Sequence, residues 1–296
     1  MSEDFKQAAL DYHEFPKPGK ISVELTTPAQ TSRDLSLAYS PGVAEPVKEI
    51  AADPENAYRY TAKGNLVAVI TDGSAILGLG NLGPLASKPV MEGKSLLFKR
   101  FAGVDSIDIE VESESPQAFI DTVRRIANTF GGINLEDIKA PECFEIERTL
   151  IEQCEIPVFH DDQHGTAIVT VAGVLNALEI VGKDIADVKM TVLGAGAAAI
   201  SCSKLLILAG MKPENIFMCD RKGVIHSGRD DLNQYKAGFA IDTDKRTVDD
   251  ALNGSDIFLG LSGPNMVTGE QIKTMAANPI IFACANPVPE IMPEEV

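Results

Sequence analysis

Basic charge is scarce in this chain. Its 296 residues carry 26 Lys and Arg against 43 Asp and Glu, a net charge of −17. Nucleic-acid surfaces hold phosphates with clustered Lys and Arg, so that class of partner is not expected. Paired cysteines are missing too. None of the five, Cys143, Cys154, Cys202, Cys219 and Cys284, belongs to a C-x-x-C pair. Buried free thiols in a reducing compartment are the default for such a pattern, and the expected location is the cytoplasm. The opening residues, Met-Ser-Glu-Asp-Phe-Lys, have no apolar signal-peptide core. No uninterrupted apolar run reaches bilayer length, so no membrane partner is expected. The apolar stretch from Ala167 is broken by polar residues and reads as a buried helix. Internal repeats and low-complexity tracts are also missing.

The chain does have apolar residues enough for substantial cores, 45% of the total, and a length that suggests two domains. Short β-branched runs alternate with helical patterns. Strands are expected at 65–71, 107–111, 133–135 and 157–159, with helices at 92–101, 115–130 and 141–154 between them. From Gln163 a long helix runs to about Val181. Strands follow at 189–193, 215–219, 256–259 and 280–283, with a helix at 200–209. This alternation gives an α/β fold: an N-terminal α/β substrate domain over 1–159, then a Rossmann-type dinucleotide-binding domain over 160–296.

Three acids stand at the ends of two short apolar segments: Glu136 and Asp137 after Ile133-Asn134-Leu135, and Asp162 after Val158-Phe159-His160-Asp161. Strand ends in α/β proteins open onto the ligand crevice. Three converging carboxylates need a positive charge between them, and oxygen-only ligands suit Mg²⁺ or Mn²⁺. The same acids also suit helix N-termini, which is the plainer reading of Asp161 and Asp162. His160 and His164 beside them invite zinc, but no further His or Cys stands at ligand spacing.

The loop Gly194-Ala195-Gly196-Ala197-Ala198-Ala199 follows a strand and opens a helix. It matches G-x-G-x-x-G/A, with Ala199 small enough for the third position. Asp220 ends the next strand, at the spacing expected for a ribose contact, which favours NAD. Arg221 and Lys222 beside it suit a 2′-phosphate, which tips the expectation slightly to NADP.

Several motifs together give a resemblance to a known family. They are Ala38-Tyr39-Ser40-Pro41-Gly42-Val43-Ala44, Thr71-Asp72-Gly73, Gly78-Leu79-Gly80-Asn81-Leu82-Gly83 and Pro89-Val90-Met91-Glu92-Gly93-Lys94. Asn134-Leu135-Glu136-Asp137, Phe159-His160-Asp161-Asp162-Gln163-His164-Gly165-Thr166 and Ala285-Asn286-Pro287 complete the set. In these motifs the chain resembles the malic enzymes over essentially its whole length, and most of all the bacterial small or hybrid type. The resemblance implies metal-dependent oxidative decarboxylation of (S)-malate to pyruvate and CO₂ with NADP or NAD. It implies Tyr39 as general acid, Lys94 as general base, and Asp161 as the acid neighbouring that lysine. The implied metal ligands are Glu136, Asp137 and Asp162, and Asn286 is implied to hold the substrate beside the cofactor. A homodimer or higher homo-oligomer is implied as well.

Two departures accompany the resemblance. No arginine follows Asp72-Gly73, where the large-type enzymes place one on the substrate carboxylate, so backbone amides or a lysine are expected to take that part. The family pattern also continues beyond Val296, and the resemblance implies a longer protein with further closing helices, in hybrid members with an acyltransferase-like domain. Two other functions compete: an amino-acid-dehydrogenase-like oxidoreductase, which needs no three convergent acids, and a nucleotide-binding regulatory module.

Overall fold

The structure, a computed structural model, describes residues 3–76 and 79–296. Gly78, the first glycine of the 78–83 turn, lies outside the described residues. The chain forms two compact units. The first takes 1–74, 82–136 and 146–159; the second takes 75–81, 137–145 and 160–296.

The first unit opens with four helices, α1 (Glu3–Glu14), α2 (Ser32–Ala38), α3 (Ala44–Ala52) and α4 (Ala57–Tyr60). A capping box starts α2: Thr31 accepts from the Asp34 N–H while Asp34 accepts from that of Thr31. The sheet comprises β1 (Leu66–Thr71), β2 (Asp105–Glu110), β3 (Gly132–Leu135) and β4 (Val158–His160), in the order β2-β1-β3-β4. β1 pairs in parallel with both β2 and β3. The chain leaves β1 through α5 (Pro84–Leu97) to β2, then passes through α6 (Pro116–Ile126) to β3 on the other side of β1. That reversal makes a topological switch point at the C-terminal ends of β1 and β3, where α/β sheets bind ligands. Ala68, Val69 and Ile70 of β1 are fully buried, as a strand covered on both faces requires.

α5 begins eight residues before the helix expected at 92–101. Pro84 sits at its first turn, where a missing N–H costs nothing. Pro89 lies inside it, and a mid-helix proline is the signal that hid this start. α7 (Glu142–Gln153) matches the expected 141–154 closely.

The second unit is a five-stranded sheet, β7-β6-β5-β8-β9, made of β5 (Met190–Leu193), β6 (Ile216–Asp220), β7 (Gly223–Val224), β8 (Ile257–Gly260) and β9 (Ile280–Ala283). All pairs are parallel except the short β6–β7 edge, which the sequence pattern did not reveal. α8 (Asp161–Val181) and α9 (Ala197–Leu208) pack together, and α9 links β5 to β6. The short helices α10 (Gln234–Ala237), α11 (Val248–Leu252) and α12 (Gly269–Ile272) complete the unit. The chain again reverses about its central strand, from β6 on one side of β5 to β8 on the other. This is the dinucleotide-binding arrangement expected from the sequence.

α8 is buried on one face only. Ala167, Val171, Val174 and Leu178 join the core, whereas Ile168, Val169, Leu175 and Ile180 are exposed. By length and composition alone α8 is long and apolar enough to cross a membrane. Its inner stripe packs instead into the sheet's core, with the Phe282 ring against Gly173. The polar interruptions that suggested a buried helix do not register the half of the surface left outward.

Candidate functional site

Glu136 follows β3 directly, at the first unit's switch point, and its backbone N–H donates to the Ile70 carbonyl of β1 at 3.0 Å. Lys94, from the crossover helix α5, brings its ammonium to 3.1 Å from Glu136 Oε1. The two side chains are 21% and 6% exposed, so the pair sits largely out of water. Asn134 Nδ2 donates to the other oxygen, Oε2, at 2.7 Å. Asn134 stands two residues before Glu136, which puts both side chains on one side of the extended chain. That spacing was the available sign of a supporting role that the sequence reading missed. Removing one partner of a buried ion pair typically costs about 3–5 kcal/mol.

Tyr39 closes α2 and its side chain is 75% exposed. Its own unit therefore does not enclose it.

In the second unit Asp137 is buried on left-handed backbone, φ 54°, a conformation Asp tolerates better than most residues. Its carbonyl accepts from Ala75 N–H at 2.9 Å, and its N–H donates to Asp162 Oδ2 at 2.8 Å. Asp161 and Asp162 lie in the first turn of α8, where acids suit the helix dipole, but the N-cap is His160 and no side chain caps the helix, unlike the expected capping by the aspartates. The buried His160 approaches Asp162 Oδ2 to 3.8 Å through Nδ1. Asp161 folds back over Gly165, whose place a Cβ could not share with the Asp161 carboxylate. A glycine inside a helix costs about 1 kcal/mol relative to alanine, and this close approach accounts for it.

Among the described residues no three His, Cys, Asp or Glu side chains already stand as a metal cage. The donors nevertheless fit Mg²⁺ or Mn²⁺ better than zinc. Glu136 and Asp137 are consecutive buried carboxylates, and the Asp137 backbone is tied to the Asp162 carboxylate.

The glycine loop after β5 shows two different uses of glycine. Gly194 has φ +124°, and a Cβ there would collide with the Leu261 carbonyl that follows β8. Gly196 has ordinary backbone, φ −91°, and a Cβ there would meet nothing within 4 Å. The fold itself does not require glycine at 196, and the absent Cβ leaves open space beside the backbone. Gly196 is also the N-cap of α9 and offers no side-chain hydrogen bond to the helix. The free N–H groups of that first turn suit a pyrophosphate. Ala197 and Ala198 begin the helix, and Ala199 is fully buried, as the third position of the motif requires. Gly196→Ala is therefore expected to keep the thermal midpoint while weakening nucleotide binding about tenfold or more. Gly194→Ala is expected to lower stability by more than about 1 kcal/mol. Calorimetric unfolding and nucleotide titration read both; a destabilised Gly196→Ala that binds normally would reverse the assignment.

Asp220 ends β6, and a cluster of cations surrounds it. Arg229 grips it with two parallel bonds of 2.8 and 3.0 Å, and Lys236 adds a third at 2.8 Å. Burial opposes its charge, but the hydrogen bonds from Arg229 and Lys236 outweigh burial and hold the carboxyl well below the usual carboxylate range. Lys222 pairs with Asp231 at 2.7 Å, and Arg221 is exposed. Arg229 and Lys236 escaped the sequence reading because they lie beyond the short β7 edge, without periodic or motif spacing to Asp220.

Asn286 is exposed on the loop after β9. The buried Glu290 steadies that loop: Oε2 accepts from Ala285 N–H at 3.1 Å and Oε1 from Ser262 N–H at 2.7 Å. One carboxylate thus joins the loops that follow β8 and β9. Burial pushes the Cys202 thiol up to about 11 and, with the Asp220 charge adding, that of Cys219 up to about 12.

Comparison with known proteins gives a consistent result. Residues 18–151 match the family model described as malic enzyme, N-terminal domain, and 163–296 match malic enzyme, NAD binding domain. The chain is 73% identical over 294 residues to the NADP-dependent malic enzyme of Halomonas elongata, covering 99% of this chain and 70% of that protein. It is 60% identical over 295 residues to the NADP-dependent malic enzyme of Salmonella typhimurium, covering 99% of this chain but 39% of that protein. The crystal structure of malic enzyme from Pyrococcus horikoshii superposes with a TM-score of 0.92 at 48% identity, over 98% of this chain and 70% of that one.

Proposed function

Since the chain belongs to the malic enzyme family, we propose that it oxidatively decarboxylates (S)-malate to pyruvate and CO₂ while reducing NAD(P)⁺. The observation that carries this reading is the Lys94–Glu136 pair at the first unit's switch point. A mostly buried lysine beside the end of a central strand suits the base this reaction needs.

The chemistry assigns each group a part. Lys94 takes the C2 hydroxyl proton as hydride leaves C2 for the nicotinamide, giving bound oxaloacetate. A lysine can do so only when its pKa falls well below its free value of about 10.4. Loss of the C4 carboxylate as CO₂ leaves the enolate of pyruvate, and Tyr39 protonates C3. Tyr39's part rests on its motif. The parts of Asp161, the acid neighbouring the lysine in the family, and of Asn286, which holds the substrate there, rest likewise on their motifs. Glu136, Asp137 and Asp162 would hold Mg²⁺ or Mn²⁺. Bound there, the cation would polarise the C2 oxygen, draw electrons from the departing carboxylate and take over from Lys94 the neutralising of Glu136.

Gly194, Gly196 and Ala197 to Ala199 receive the dinucleotide, and Arg221 and Lys222 tip the choice towards NADP. Exposed apolar residues, among them Phe5, Leu10, Tyr12, Phe15, Val23 and Leu25, support a homodimer or larger assembly.

The test is NAD(P)H formation from malate with Mn²⁺, repeated in excess chelator, on protein whose mass is read by light scattering. Turnover that stops on chelation, from a species at least twice the chain mass, is expected. No NAD(P)H from malate would refute the reaction, turnover that persists in chelator would refute the metal, and a monomer would refute the assembly.

A further inference from the structure

The seam between α5 and β2 in the first unit holds a charge cluster that the proposed reaction does not use. Asp108 and Glu110 alternate with Ile107 and Ile109 along β2, so the two acids share one face of the strand. Their side chains are 3% and 15% exposed. Lys88 of α5 brings its ammonium to 2.5 Å from Asp108 Oδ2 and 3.5 Å from Glu110 Oε2. Glu92, one turn further along α5, stands 4.0 Å from the same ammonium. Lys20, from the segment before α2, faces Glu92 and Asp108, and its N–H donates to Glu92 Oε2 at 2.9 Å. β1, paired beside β2, carries no charged residue. Asp72 beyond it accepts from Ser74, and Lys99 pairs with Asp105 at the other end of β2.

One ammonium does not satisfy both acids of β2. Glu110 Oε1 is buried and meets no protein donor. The Asp108 and Glu110 carboxyls are nevertheless hydrogen-bonded to each other. Two anions cannot make that bond, because an ionised carboxylate only accepts. A proton on Glu110 supplies the donor. With it in place, Lys20 and Lys88 balance Glu92 and Asp108; without it the cluster has one negative charge in excess. Burial, with the hydrogen bond to Asp108 and that residue's charge, pushes the Glu110 carboxyl up to about 7 against the pull of Lys88. Burial also opposes the charge of Asp108, but hydrogen bonds from Glu110 and Lys88 hold that carboxyl below the usual range.

We propose that Asp108 and Glu110 hold one proton between them, and that its release is a pH-sensitive switch that loosens the seam between β2 and α5. The stability contributed by the held proton is fully present below the unfolded value of 4.5 and is lost as pH rises through about 7. Above that, the second anion beside Asp108 turns towards water, and Lys88 is drawn from Glu92 to the new charge. β2 is the outer strand of its sheet, paired on one side only, so its packing against α5 is what the released proton weakens. The switch stands apart from the assigned reaction, although α5 also carries Lys94.

Hydrogen exchange on the full chain, corrected for the intrinsic effect of pH, reads the seam. Between about pH 6 and about pH 8.5 wild type should lose protection in β2 and α5 about tenfold or more, since each pH unit past the folded value is a factor of ten. β5 and β6 of the second unit should stay within about twofold. Glu110→Gln keeps a donor towards Asp108 and carries no charge, so its seam should stay protected at both values. Infrared titration reads the proton itself: wild type should retain a protonated-carboxyl band at about pH 6 that fades through about 7, and Glu110→Gln should lack it. Equal protection of the wild-type seam at both pH values, or the same pH response in Glu110→Gln, overturns the proposal. Should Glu110→Gln fail to fold, absence of the wild-type band at about pH 6 overturns it by itself.

Discussion

Lys94→Arg is expected to fold normally and to lose malate oxidation by about 10²–10⁴-fold, the usual contribution of a positioned acid–base group. Arginine preserves the positive charge beside Glu136 but does not give up its proton in the working pH range. Lys94→Ala should lose the same activity and, in addition, stability. It removes the ammonium that stands 3.1 Å from the buried Glu136 carboxylate. Comparing the two variants separates chemistry from folding. Unfolding midpoints should drop only for Lys94→Ala, whereas kcat for malate should collapse in both. Tyr39→Phe, by contrast, should retain reduction of oxaloacetate, because that step needs no protonation of the enolate. Wild-type malate oxidation by well-folded Lys94→Arg would remove Lys94 from the reaction.

The second large effect concerns Asp162. Asp162→Asn keeps an oxygen able to accept from the Asp137 N–H, a bond of 2.8 Å in the wild type, while removing one negative charge from the acid set. It should abolish metal-stimulated decarboxylation and weaken Mn²⁺ binding, read directly by electron paramagnetic resonance of the free ion. Asp162→Ala should do the same and also release the Asp137 backbone. Nucleotide titration should barely change in either variant, since the glycine loop belongs to β5 and α9. Mn²⁺ binding equal to wild type in both variants would show that Asp162 only tethers Asp137.

Much of this molecule is legible in its sequence because the information is local. The alternation of β-branched runs with helical periods places every strand but the two-residue β7 to within a residue or two, since backbone pairing and burial select the same residues. The Gly194 loop declares itself through spacing, and the steric conflict with Leu261 gives Gly194 a reason that belongs to the fold. The acids at 136, 137 and 162 stand out because charge at the end of an apolar strand is costly without a role. The start of α5 was hidden because Pro89 opposes helix in general, and only tertiary packing overrides it.

What tertiary structure alone decided is which charge meets which. The sequence by itself determined that Asp220 ends a strand beside Arg221 and Lys222; the folded chain brings Arg229 and Lys236 onto its carboxylate from nine and sixteen residues away. It likewise determined that Lys94 and Glu136 carry opposite charge, but the crossover of α5 and the position of β3 beside β1 place them 3.1 Å apart. Periodicity reports the face on which a residue lies. It does not report which side chain stands opposite, because that depends on strand order and on loops whose paths no repeating pattern records.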